Sequence, residues 1–307
     1  MFGSVFLGLL CQGSLCARKD LDAEEIRLYR ELSRANEDDP VPLLKLSSVY
    51  LRAGRPQKAL RCLRQVVQMD PARAEAWVEM GNAFLASERT LEGIDAFERA
   101  VEIDPSLAPA YANLGLAHLK QGNPENAIRV LQTSLDIAPD QYLAHYHLAE
   151  AYWILKEEEK CISELESCID LSPQFLRARM RLAGVLEEVE RYEQAAKSYE
   201  EARALDPTHP LIHLRLGELY DHKMHETAKA LQSYKSFLRW EEGGGRAVRR
   251  RMRLLIDRLY VNALRSYSVG RAEDSMNYVR SLLEIEPLHK GARDLAEQIR
   301  NSRREDY

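Results

Sequence analysis

The chain has 307 residues, 45% of them apolar and 30% charged, enough for a continuous core and a well-solvated surface. Only 15 glycines and 12 prolines fall in that length, which suits long helices and argues against a β architecture with many turns. A net charge of −5 lacks the basic footprint of a nucleic-acid binder, so no nucleic-acid partner is expected.

In chain order, the first feature is residues 1–17, MFGSVFLGLLCQGSLCA, which carry no charged side chain. Their core VFLGLL has the length of a secretion-signal apolar region, but no Lys or Arg precedes it, and Arg18 and Lys19 follow it. Leu10 before Cys11 and Leu15 before Cys16 do not match the small residue that a lipoprotein signal needs, and seventeen residues is short for a membrane span. Two readings stand: an export signal or membrane tether, or a misassigned start or cytoplasmic tail. Membrane association or export is favoured over a cytoplasmic location. Ile26, Tyr29 and Leu32 then recur at three-residue spacing and predict a capping helix within 18–39.

Pro71, Pro105, Pro139, Pro173 and Pro207 follow at intervals of 34 residues. Proline cannot continue a helix and pushes its predecessor out of helical angles, so each marks a helix end. Between two such stops, Trp77, Met80, Gly81 and Phe84 form one helical face, and Gly93, Phe97, Ala100 and Ile103 form a second. Glycine in mid-helix costs about 1 kcal/mol relative to alanine, and close approach of the two helices is the reason to place it there. Leu46, Ser47 and Tyr50 with Ala59, Leu63 and Val66 supply the first full unit, and the blocks from Tyr111, Leu148 and Leu182 repeat the arrangement.

These residues resemble the tetratricopeptide repeat, whose pattern runs W-x2-L-G-x2-Y, then A-x3-F, then P. The resemblance covers about residues 40–290 and implies an all-α, right-handed superhelical solenoid of antiparallel helix pairs. Six repeats are expected over 40–240, the sixth with one inserted residue near His222–Glu226. An irregular Gly/Arg-rich junction is expected over 241–255, then a degenerate seventh repeat and a C-terminal capping helix over 256–307. Cys62, Cys161 and Cys168 in the body are odd in number, and the last two lie seven apart on one predicted helix. That is a rise of about 10 Å, beyond the reach of a disulfide, so they are read as small buried hydrophobes.

No phosphate-binding loop, dinucleotide fingerprint, nucleophile elbow or H-E-x-x-H stretch occurs. His222 and His225, with Glu226 beside them, are the nearest approach to a metal site. A solvated polar turn is the plainer reading, because no third ligand is visible. No cofactor is expected, and an enzyme is the least supported class. His145 and His147 point in different directions from one helix.

In tetratricopeptide proteins the first helix of each pair lines a concave groove. Carried over, that places Glu79 and Asn82, then Asn113, then Tyr146, His147, Glu150 and Trp153 in the groove. Arg177, Met180 and Arg181 follow, then Arg215, with Glu218 and Asp221 beyond it. Tyr146, Trp153 and Met180 offer apolar anchors, and Arg177, Arg181 and Arg215 are placed to grip a carboxylate or to pair with the array's own acids. The chaperone-tail clamp of one subfamily matches at Asn82 and Asn113. It fails at Val78, Leu143 and His147, where basic residues would stand. Arg246–Arg253 is the strongest basic cluster, with Val248, Met252, Leu255 and Leu259 on one stripe. It either contacts anionic lipid or an acidic partner, or packs that stripe inward. The expected function is a non-catalytic scaffold or adaptor holding a protein or peptide, with a cytosolic co-chaperone as the alternative.

Overall fold

The computed structural model describes residues 23–241, 243 and 245–305; residues 1–17 lie outside it. Every regular element among the described residues is a helix, in the helix-pair class that the sequence implies. The chain divides into two compact units, residues 1–171 and 172–307. The first holds α1 (residues 23–35) and four hairpins: α2 (Pro40–Arg52) with α3 (Pro56–Met69), α4 (Ala74–Leu85) with α5 (Thr90–Ile103), α6 (Ala108–Gln121) with α7 (Pro124–Ile137), and α8 (Tyr142–Ile154) with α9 (Glu158–Leu171). The second holds α10 (Leu176–Glu188) with α11 (Tyr192–Leu205), α12 (Pro210–His222) with α13 (Thr227–Trp240), α14 (Arg246–Ser268) with α15 (Ala272–Ile285), and the closing α16 (Lys290–Glu305).

The helix ends follow the prolines. Asp70, Asp104, Ala138 and Asp206 cap α3, α5, α7 and α11 with φ between −130° and −141° and ψ between 85° and 96°, the extended region that a following proline enforces. Asp104 and Asp206 also accept from the backbone N–H and hydroxyl of Ser106 and Thr208, which closes the turn into the next hairpin. Those side-chain hydrogen bonds hold both carboxyls below their ordinary range. The proline carbonyl itself is claimed six residues on: Trp77, Arg179 and Arg293 donate a side-chain N–H to the carbonyls of Pro71, Pro173 and Pro287. The rings of His145 and His213 do the same for Pro139 and Pro207. A carbonyl that proline leaves outside the helix ladder is thereby satisfied without water.

Between the two helices of each hairpin one residue has a left-handed φ: Gly54, Glu88, Gly122, Lys156, Glu190, then His225 and, in the last hairpin, Gly270. The step is 34 residues until Glu190 and 35 to His225, which places the inserted residue of the sixth repeat in the turn after α12.

The helices of a hairpin close over small residues. A Cβ built on Gly81, Gly115 or Gly217 would lie 2.5, 2.4 or 2.5 Å from Phe97, Leu131 or Tyr234 of the partner helix. The same register is held by Ser47, Ala149 and Ala183, all fully buried, as are Leu63 and Leu165 on the second helices. Cys62, Cys161 and Cys168 are buried and unbridged, as expected of small hydrophobes, and burial pushes the Cys168 thiol up to about 11. Within the first unit α4 packs on α6 and α6 on α8; at the end of the second, α13 packs on α14 and α15.

Three expectations need correction. Residues 246–255 are not irregular: they form the start of α14, a 23-residue helix, and only residues 241–245 lie between α13 and α14. Good helix formers without an internal glycine or proline extend the seventh first-helix by more than two turns. In α1, Ile26 is buried and Tyr29 packs on the first core, but Leu32 is 44% exposed, because the helix covers the hairpin along a narrower stripe than three residues require.

Asp221, placed in the groove by sequence, is a core anchor instead. Its side chain is 1% exposed and receives both Nε and Nη2 of Arg251 at 2.6 and 2.7 Å, with the Tyr234 hydroxyl donating at 3.3 Å. Burial alone would raise this carboxyl, but the Arg251 hydrogen bonds and charge outweigh it and hold it below its ordinary range. The pair ties α14 to the end of α12.

Two substitutions test these contacts. Gly115→Val is expected to destabilise by about 1–3 kcal/mol through overpacking. Adding Leu131→Ala should recover part of that loss although it destabilises the wild type, and urea denaturation of the four proteins reads the coupling. Arg251→Ala should cost about 2 kcal/mol. That is less than the roughly 3–5 kcal/mol for a fully buried pair, because the guanidinium is 40% exposed. Its thermal midpoint against that of Arg250→Ala, an exposed neighbour, is the comparison.

Candidate groove of the second unit

In the first unit the expected residues sit on consecutive first helices: Glu79 and Asn82 on α4, Asn113 on α6, and Tyr146, His147, Glu150 and Trp153 on α8. All seven are half-buried, and burial raises the Glu79 carboxyl. Tyr146 and His147 meet edge-on at 5.6 Å, and the Lys156 ammonium lies 5.3 Å over the Trp153 ring. Trp153 is therefore a capped aromatic rather than an open one. Val78, where a carboxylate clamp would need lysine, packs against the cluster of Leu85, Ile94, Phe97 and Leu114.

His145 turns away from this face, as expected. Its Nδ1 lies 2.6 Å from Glu164 Oε2 and its Nε2 3.1 Å from the Pro139 carbonyl. Both neighbours are acceptors, so the ring satisfies them together only as imidazolium. The Glu164 hydrogen bond raises the His145 pKa against the opposing effect of burial. A raised folded value stabilises fully below the unfolded pKa of about 6.5 and ceases to do so as pH rises through the folded value. The stability gap between wild type and Glu164→Gln should therefore be full below about pH 6.5 and shrink as pH rises through the raised folded value, measured by urea denaturation at each pH.

In the second unit three expected residues line one cavity of about 460 Å³ between α10, α11 and α12: Met180, Arg181 and Arg215. Arg177 is exposed on α10 and is not part of the lining. Gly184, Glu187, Tyr192, Tyr199, Leu211 and Lys223 complete the wall, with Glu188 and Glu190 at the rim. Gly184 differs from the close-approach glycines: only Tyr199 Oη, at 3.8 Å, lies near its missing Cβ, so the floor stays open down to the second helix. The Tyr199 hydroxyl donates to Glu187 at 3.4 Å, and its burial raises the phenol far above its ordinary range. Arg215 pairs with Glu218 at 3.4 Å while half-exposed, and Lys223 stacks 5.2 Å over the Tyr192 ring. The cavity thus combines apolar Met180 and Leu211 with cations and carboxylates in one lining.

Sequence reasoning missed Gly184, Tyr192, Leu211 and Lys223. Gly184 and Leu211 had a legible signal, Gly184 at a first-helix groove position and Leu211 one turn before Arg215 on α12; Tyr192 and Lys223 are brought in by the fold. In the sixth turn, His222 Nε2 faces Asp221 at 3.5 Å and Glu226 pairs with Lys229 at 2.5 Å. Among the described residues no group of three or more His, Cys, Asp or Glu side chains is placed to hold a metal, and no helix is long and apolar enough to cross a membrane.

Family models of the tetratricopeptide repeat match residues 44–108, 84–150, 142–175 and 176–219, an unbroken run over more than half of the chain. This chain belongs to the tetratricopeptide-repeat family. No curated protein matches it. Among solved structures it is similar to the Cut9–Hcn1 hetero-tetramer of the APC/C (16% identity, TM-score 0.58, 91% of this chain and 46% of that one). It is also similar to the human IFIT1 dimer with PPP-AAAA (16%, 0.56, 90% and 67%). A third is TTC0263 of Thermus thermophilus, a thermophilic protein of the same repeat (19%, 0.52, 59% and 98%). At these identities the likeness concerns the fold alone.

Proposed function

We propose that this protein is a non-catalytic scaffold that holds a peptide segment of a protein partner in the α10–α12 cavity of its second unit. The observation carrying this reading is the convergence of Met180, Arg181 and Arg215 on one open cavity of about 460 Å³ whose floor, at Gly184, is free of a side chain. An apolar side chain of the partner enters over Gly184 against Met180 and Leu211. A carboxylate of the partner meets Arg181 and Arg215, which favour acids through charge-assisted hydrogen bonds. Glu187 and Glu188, which line the same cavity, select a cation nearby, so the groove reads a mixed-charge segment rather than a uniformly acidic one. The half-buried Tyr146–Trp153 face of the first unit is proposed as an additional contact surface. The proposed setting is membrane or envelope association through residues 1–17.

The test is affinity purification of the full chain from membrane and soluble fractions of its native cell, with mass spectrometry of the partners and of the mature N-terminus. Met180→Ala with Arg181→Glu should reduce recovery of the specific partner at least tenfold while circular dichroism and thermal midpoint stay at wild-type values. Undiminished recovery by that variant would rule the cavity out as the binding site.

A further inference from the structure

On a chain of net charge −5, the single helix α14 carries seven arginines and one aspartate. Its apolar stripe, Leu255 and Leu259 with Ala263, is buried, so the amphipathic pattern legible in the sequence is consumed by packing inside the second unit. Arg251 is consumed as well, by Asp221. What remains is the opposite face. At 3.6 residues per turn, Leu254, Val261 and Leu264 fall within one sector of it, and they are 55, 42 and 41% exposed. Arg246, Arg250 and Arg253 in the first half of the helix and Arg258 and Arg265 in the second are all exposed around that sector. Asp257 is the only acid among them.

We propose that this outer face of α14 is a second docking surface, separate from the α10–α12 cavity, for an acidic amphipathic segment of a partner protein. Charge complementarity selects the occupant: five exposed guanidinium groups flank three aliphatic side chains, which is the inverse pattern of a helix with a leucine stripe edged by glutamates. Guanidinium also prefers planar carboxylates, and Arg251 of this same helix makes that bidentate contact with Asp221 of α12. An anionic membrane is the less suited occupant. The face has no aromatic residue to anchor at an interface, and insertion of Leu254 and Val261 would draw the Asp257 carboxylate toward the lipid.

The experiment uses the full chain and fluorescein-labelled helical peptides of about 18 residues with leucines at i, i+3 and i+7 between glutamates. A sequence-scrambled peptide of the same charge and a lysine-for-glutamate peptide serve as controls. Fluorescence anisotropy is expected to show saturable binding of the patterned acidic peptide that weakens with salt, and at least tenfold weaker binding of the scrambled and lysine forms. Arg250→Glu with Arg253→Glu, and separately Leu254→Ser, should each weaken binding at least tenfold with unchanged circular dichroism. Arg181→Glu in the cavity should leave it within twofold. If the patterned peptide binds the α14 variants as well as the wild type, or if Arg181→Glu abolishes its binding, the surface assignment is overturned. It is equally overturned if no acidic peptide binds while vesicles containing phosphatidylserine sediment the wild-type chain and not the α14 variants.

Discussion

Each hairpin closes where one small residue on the first helix admits one large residue from the second. Gly81 takes Phe97, Gly115 takes Leu131 and Gly217 takes Tyr234, each at a distance that leaves no space for a Cβ. The contact sets the separation of the two helices, and that separation sets the thickness of every repeat. Serine or alanine stands fully buried at the equivalent positions, Ser47, Ala149 and Ala183. The backbone entropy that mid-helix glycine loses is repaid by the burial of a ring or an isobutyl group, of about 1.5–3 kcal/mol.

The junction between repeats rests on a different device. Proline ends the second helix and leaves its own carbonyl without an intrahelical partner, and a nitrogen six residues later supplies it. Trp77, His145, Arg179, His213 and Arg293 have little in common except a side-chain N–H able to reach back to that oxygen. This explains why a position read as a packing residue accepts an indole, an imidazole or a guanidinium. At His145 the same geometry adds Glu164 and makes one junction sensitive to protonation.

Away from those two devices the units differ in what they leave open. In the first, consecutive first helices pack against one another and the polar residues facing outward are half-buried. In the second, Gly184 leaves a cavity that no large side chain fills, and the long α14 adds to its buried stripe a tie to the Asp221 carboxylate of α12. Openness of that kind is where a scaffold of stacked hairpins acquires binding surface, because the hairpins themselves are already satisfied.

The repeat, its period, the helix ends marked by proline and the single insertion in the sixth turn were legible in the sequence alone, whereas the early start of α14 was not. They depend on local rules: proline geometry, helical spacing and the need for small residues at close approach. The burial of Cys62, Cys161 and Cys168 follows from the same spacing. Which residues line the cavity was legible only where a residue's own helix position decides its exposure, as for Met180, Arg181 and Arg215. Asp221 looked identical by that criterion and proved buried, because the guanidinium that claims it lies thirty residues away on a helix of another hairpin. Tyr192 and Lys223 reach the cavity by the same kind of non-local approach. Tertiary structure alone decides such pairs, since a charge or an apolar side chain is read by its neighbours in space and carries no mark in sequence of which neighbour it will meet.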